Sequence, residues 1–123
     1  MVERIQDILN DNDKPLKGAK VLLLGITYKP DIADLRESPS LEVVSILREK
    51  NADLRFYDPF VPTFKSHGEV LTGESNLDAA LADADIVVLL QAHAAYDLAD
   101  IQAKSKLVFD TRGKMTGANV VRL

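Results

Sequence analysis

The run from Ala19 to Ile26 constrains this chain more than any other segment. It is almost wholly apolar and contains Gly25 near its end. A short run that is apolar at consecutive positions, rather than at alternating ones, suits a strand buried on both faces. Such strands belong to parallel sheets, and parallel sheets need helical crossovers. The rest of the chain supplies them. Ser38-Pro39 marks a helix start, with Ser as N-cap and Pro at the first helical position. Leu41, Val44 and Leu47, with Val43 and Ile46 beside them, give that helix a core face, and Lys50-Asn51 ends it. Strands are expected at Asp53–Tyr57, Asp85–Leu90 and Leu107–Asp110, with a weak one at 69–72 and another at 119–122. Short helices are expected from the capping-box stretch Ser75-Asn76-Leu77-Asp78 to about Ala82, and from Tyr96 to Ala103.

Strand–helix alternation of this kind implies an α/β fold, a Rossmann-like open parallel sheet with helices on both faces. The expected strand order is 3-2-1-4-5, with residues 69–72 as the third strand. The first strand and the Asp85–Leu90 strand are then neighbours at the switch point, where open α/β sheets bind ligands. At the N-terminus, Val2, Ile5, Ile8 and Leu9 recur at helical spacing over residues 2–10. Asn10 to Pro15 breaks that pattern and suits a linker. Residues 1–18 are therefore expected to be the end of a connecting helix and its linker, and residues 19–123 the domain proper.

With 123 residues, 46% of them hydrophobic, the chain suits one domain with one core. A net charge of −4 argues against nucleic-acid binding by phosphate neutralisation. It leaves room for a small phosphate-bearing ligand, which needs only a few local cations. There is no cysteine, so disulfides, thiolate nucleophiles and thiolate metal sites are excluded from this sequence. No run approaches the roughly 20 apolar residues of a membrane span, and the first residues lack a signal-peptide pattern. A cytoplasmic location, without membrane or nucleic-acid partners, is the expectation.

The loop between the first strand and its helix is long and rich in charge: Lys29, Asp31, Asp34, Arg36 and Glu37. It lies at the carboxyl edge, so it suits either a binding site or a solvated connector. It lacks Gly-x-Gly-x-x-Gly, because Ile26, Thr27, Tyr28 and Lys29 follow Gly25. Any phosphate contact must then come mainly from side chains, and Lys29 and Arg36 are the natural partners. Paired with the neighbouring acids, the same two residues would be ordinary surface cations. The acids could themselves suggest a metal or an acid/base pair, but orienting those cations explains them better. Arg112, ahead of Gly113, suits a turn or a contact residue. His93 has a side chain that titrates near neutrality, and a loop-ordering role outranks catalysis for a single histidine. Asp58 sits where related folds place a ribose-binding acid. With Pro59 after it and no glycine fingerprint before it, a strand-end turn is the better reading.

Gly25-Ile26-Thr27-Tyr28-Lys29-Pro30-Asp31, followed by Asp34-x-Arg36-Glu37-Ser38-Pro39, resembles the signature of the C-terminal domain of the UDP-glucose/GDP-mannose dehydrogenase family. Tyr57-Asp58-Pro59, the strand Ala84–Leu90 with His93 and Tyr96 beyond it, and Phe109-Asp110-Thr111-Arg112-Gly113 continue the match in order. The resemblance covers roughly Leu16 to Arg112. Arg36-Glu37-Ser38-Pro39-Ser40 and Asp58-Pro59-Phe60-Val61-Pro62 are closer to the UDP-N-acetylhexosamine branch than to the UDP-glucose branch.

The resemblance implies an NAD-dependent enzyme that oxidises a sugar C6 alcohol to a carboxylate. It implies that Tyr28, Lys29 and Arg112 contact the UDP-sugar. It also implies that Arg36 reaches an NAD held mainly by a separate N-terminal domain. NAD-binding and central helical domains of the same enzyme are the implied partners, and the complete enzyme is expected to be a homodimer. The family's chemistry needs a catalytic Cys, which this chain lacks. No catalytic residue is therefore assigned, and no dehydrogenase activity is expected of the chain alone. The competing reading is a stand-alone α/β nucleotide-binding or interaction module. The coding sequence upstream of Met1 separates the two.

Overall fold

The computed structural model describes residues 1–36 and 38–123. Its centre is a five-stranded, wholly parallel sheet in the order β2-β1-β5-β6-β7. The strands are β1 (Lys20–Leu24), β2 (Asp53–Tyr57), β5 (Ile86–Leu89), β6 (Val108–Asp110) and β7 (Val120–Arg122). Successive residues of β1 point to opposite faces and both faces are covered, which is why the run is apolar at every position. Val21 and Leu23 join α1 (Val2–Asp11) and α2 (Pro39–Glu49) in one cluster, with Ile86, Val88 and Phe109. Leu22 and Leu24 join α3 (Leu77–Asp83) and α4 (Leu98–Lys104) in the other, through Leu81 and Ile101. The expected α/β architecture, with helices on both faces, is present.

One edge of the sheet differs from the expected strand order. Residues 69–72 form β4 (Glu69–Thr72), which pairs antiparallel with β3 (Thr63–Ser66) outside the main sheet. The reason is local. His67 and Gly68 both adopt positive φ, 52° and 81°, which makes the tight hairpin turn that returns the chain on itself. β4 is also mostly exposed, with Leu71 half-buried against the core. The hairpin instead docks through Phe64, whose ring meets Phe56 edge-on at 4.9 Å. Arg48 of α2 fastens it from the other side by donating to the Ser66 carbonyl and the Glu69 carboxylate. At the far edge the C-terminal strand β7 completes the sheet.

β2 lies on one side of β1, and the later strands lie on the other. The switch point is therefore between β1 and β5, as expected. The helix ends are capped by their own sequence. Ser38 accepts from the Ser40 N–H with Pro39 at the first helical position of α2. Asn76, rather than Ser75, caps α3 by accepting from the Ala79 N–H at 3.1 Å. The apolar face of α1 (Val2, Ile5, Ile8 and Leu9) is buried in the same cluster as the sheet.

Candidate functional site

The strands are parallel, so the loops after β1, β5 and β6 all leave the same carboxyl edge. The loop after β1 spans residues 25–38; Glu37 lies outside the described residues. Gly25 opens it at a φ of +77°, and a Cβ there would stand 2.4 Å from the Gln91 carbonyl oxygen. The loops after β1 and β5 therefore touch directly at the switch point. Gln91 is buried and donates from its side chain to the Tyr28 carbonyl at 2.9 Å and the Thr27 carbonyl at 3.3 Å. Behind them, Asp58 accepts from the Ile26 N–H at 2.8 Å and the Phe60 N–H at 2.9 Å. Ser38 donates to the Ile26 carbonyl at 2.8 Å. The base of the loop is thus held from three directions.

Its outer part encloses a cleft of about 410 Å³ lined by Tyr28, Lys29, Ile32, Asp34 and Arg36. Tyr28 is about half exposed, which is unusual for a ring of that size. Arg36 forms a bidentate pair with Asp34, Nε to Oδ1 and Nη2 to Oδ2, both at 3.1 Å. Those bonds hold the Asp34 carboxyl below its usual range and raise the guanidinium. Asp31 does not neutralise Lys29. Its Oδ1 accepts from the Ala94 N–H at 2.7 Å. Lys29 has no ion-pair partner among the described residues.

Arg112 stands on the loop after β6, beside a second depression of about 180 Å³ that it shares with Thr27, Pro39, Ser40 and Leu90. Asp110 shapes that loop. Its Oδ1 accepts from the N–H groups of Arg112 and Gly113, and its Oδ2 from those of Lys114 and Met115, at 2.6–3.0 Å. Arg112 Nε donates to the Leu90 carbonyl at 2.8 Å, which orients the guanidinium. Thr27 lines the Arg112 depression and its neighbour Tyr28 lines the main cleft, and the two hollows have no described lining residue in common.

A family model described as the UDP binding domain of the UDP-glucose/GDP-mannose dehydrogenase family matches residues 22–117. The chain belongs to the UDP-glucose/GDP-mannose dehydrogenase family. Its sequence is 32% identical over 120 residues to a UDP-N-acetyl-D-mannosamine dehydrogenase of Methanocaldococcus jannaschii, covering 91% of this chain and 26% of that protein. A UDP-N-acetyl-mannosamine dehydrogenase structure from Staphylococcus aureus superposes with a TM-score of 0.73 at 28% identity, covering 98% of this chain and 28% of that one. An NDP-N-acetyl-D-galactosaminuronic acid dehydrogenase from Methanosarcina mazei shares the fold, with a TM-score of 0.76 at 22% identity over 95% of this chain and 26% of that one. The chain thus spans about a quarter of the length of the curated relatives it matches.

The switch point of this domain is not shaped for a dinucleotide. A dinucleotide pyrophosphate needs a glycine-rich turn that lets it approach a helix N-terminus. Here Gln91 already fills the space above Gly25, and the long loop intervenes before α2. The residues present do not form an NAD cradle at this edge.

Gln91 is the residue that sequence reasoning missed. A polar residue directly after the apolar strand 85–90 was the available signal. Asp58 makes more than a strand-end turn, because it also meets His93 Nε2 at 3.0 Å. That contact joins segments 35 residues apart, and no local pattern announces it.

Proposed function

We propose that this chain is the UDP-sugar-binding domain of an NAD-dependent nucleotide-sugar 6-dehydrogenase, which oxidises the sugar C6 alcohol to a carboxylate. One observation carries the reading: an exposed tyrosine and a lysine without an ion-pair partner among the described residues line one cleft at the switch point of a domain whose family is described as UDP binding. The Lys29 ammonium suits a diphosphate. Tyr28 supplies a ring face and a hydroxyl for the nucleoside or sugar, and Arg112 adds a second cation from the adjoining loop. Arg36 is exposed beyond its bond to Asp34 and serves the NAD held by another domain of the same enzyme. NAD supplies the hydride acceptor when bound there. The catalytic thiol also belongs outside this cysteine-free chain.

The names of the relatives favour a UDP-N-acetylhexosamine as the sugar nucleotide. In this reading residues 1–18 are the end of a connecting helix and its linker, and residues 19–123 are the binding domain. The complete enzyme works as a cytoplasmic homodimer. A chemical-shift titration of the chain with UDP tests the binding. Saturable shifts should appear at Tyr28, Lys29 and Arg112 and be absent with uridine alone. Shifts confined to other faces, or no shifts at all, would remove the basis of the proposal.

A further inference from the structure

The side chains buried behind the cleft hold more organisation than a strand-end turn requires. The His93 side chain is fully buried, as is that of Asp58. The imidazole lies beside the rings of Phe60 and Tyr96, with centroid distances of 4.8 and 5.5 Å. The Asp31 backbone N–H donates to Nδ1 at 2.8 Å. Nδ1 therefore keeps its lone pair, and the proton of the neutral ring sits on Nε2. Nε2 points at Asp58 Oδ2, 3.0 Å away, with Thr27 Oγ1 at 3.4 Å. That hydroxyl in turn donates to the Lys29 carbonyl at 2.7 Å. Asp31 itself adopts a left-handed backbone, φ +63°, a conformation an aspartate enters only at some cost. Two bonds from the loop after β5 secure it, one to its N–H and one from Ala94 to its carboxylate. This grip falls between Lys29 and Ile32, both of which line the cleft.

We propose that His93 is the positioning residue of this cleft. Its Nδ1 holds Asp31 in the left-handed turn that presents Tyr28 and Lys29, and Asp58 holds the tautomer that makes Nδ1 an acceptor. The ring is walled off by Phe60 and Tyr96, so it acts through the loop and not on a ligand. The ligand half of the proposal rests on the UDP reading above; the loop-holding half does not.

Two substitutions separate the two bonds of the ring. In His93→Asn the side-chain oxygen falls near the place of Nδ1 and can accept from Asp31, but the residue is too short for Asp58. In His93→Gln the amide reaches Asp58 and leaves Asp31 without its acceptor. Amide exchange followed by NMR should show protection at Asp31 falling about tenfold in His93→Gln, as for one lost hydrogen bond, and staying near the parent in His93→Asn. UDP affinity should fall about five- to twentyfold in His93→Gln and by less than about twofold in His93→Asn, even though the Asn variant melts earlier. Asp31→Pro deletes the N–H that His93 accepts and bars a positive φ without touching the core, and it should lower UDP affinity as His93→Gln does. It serves if the Gln variant does not fold.

Equal affinity loss in the Asn and Gln variants, tracking their melting temperatures, would reduce His93 to a packing residue. Unchanged affinity in Asp31→Pro would overturn the proposal as well. A parent chain that shows the protection pattern but binds no UDP overturns the UDP reading and supports the loop-holding role.

Discussion

Lys29 and Arg36 are seven residues apart on one loop and face one cleft, yet their surroundings differ. Arg36 already has one edge of its guanidinium taken by Asp34, whereas Lys29 is unpaired among the described residues. Losing a charge-assisted phosphate contact costs about 1.5–3 kcal/mol, or roughly 10- to 150-fold in affinity. Lys29→Ala should weaken UDP binding by that factor in calorimetric titration, and Arg36→Ala should change it by less than about twofold. Both variants should melt within a few degrees of the parent, because exposed charges add little to folding. Gly25 predicts the opposite pattern. An alanine there meets the Gln91 carbonyl and keeps a positive φ, so Gly25→Ala combines backbone strain with overpacking. Together these should cost about 2–6 kcal/mol, read as a lowered urea midpoint with an unchanged slope.

Among the elements, α3 shows how a cap is chosen. Ser75 and Asn76 both offer an acceptor, and Asp78 lies at the spacing of a capping box from Ser75. The chain uses Asn76, whose side chain accepts from the Ala79 N–H. Asn76→Ala should therefore cost about 1 kcal/mol in chemical denaturation, and Ser75→Ala less than about 0.5 kcal/mol. The hairpin of β3 and β4 gives a related lesson. The strand at 69–72 was legible, but its partner at Thr63–Ser66 was not, and the pairing was set by the turn at His67-Gly68 and by the docking of Phe64. Lys104 ties α3 to α4 through Asp78 and Asp100 at 3.0 and 2.9 Å, an exposed link of small energetic weight.

For the whole molecule, acid should loosen the fold from the edge opposite the cleft as well as from the cleft itself. Asp85 accepts from the Lys20 N–H at 2.8 Å, and this bond, with Lys14 beside it, holds its carboxyl below the ordinary 3.8. Asp83 is lowered by Lys20 and Asp34 by Arg36. A carboxylate with a depressed folded pKa stabilises above its unfolded value, and that contribution disappears as pH falls through the folded one. Stability from these groups is therefore complete above about pH 4 and is lost below it. Asp85→Asn should flatten the fall in melting temperature between about pH 4 and pH 2. A second expectation concerns activity. With no cysteine and no dinucleotide cradle at its switch point, the chain should fold but produce no NADH from a UDP-sugar and NAD. A steady absorbance rise dependent on this chain would contradict the assignment of the thiol and the cofactor cradle to other parts of the enzyme.

Periodicity alone determined the class of this fold. β1 is apolar at successive positions because a central parallel strand is buried on both faces, and that signal needs no partner to be read. Ser38-Pro39 likewise marks a helix start through chemistry confined to a few adjacent residues. The same locality made the long charged loop visible, together with Tyr28, Lys29, Arg36 and Arg112 as its candidates. Only the tertiary structure decided which edge received the last strand, which acids neutralised which cations, and what Asp58, Gln91 and His93 do. Those outcomes depend on contacts between segments tens of residues apart, such as Asp31 with His93 and Gly25 with Gln91. Hydrogen bonds and close approaches of that kind leave no period in a sequence, because their geometry exists only once the sheet has brought the loops to one edge.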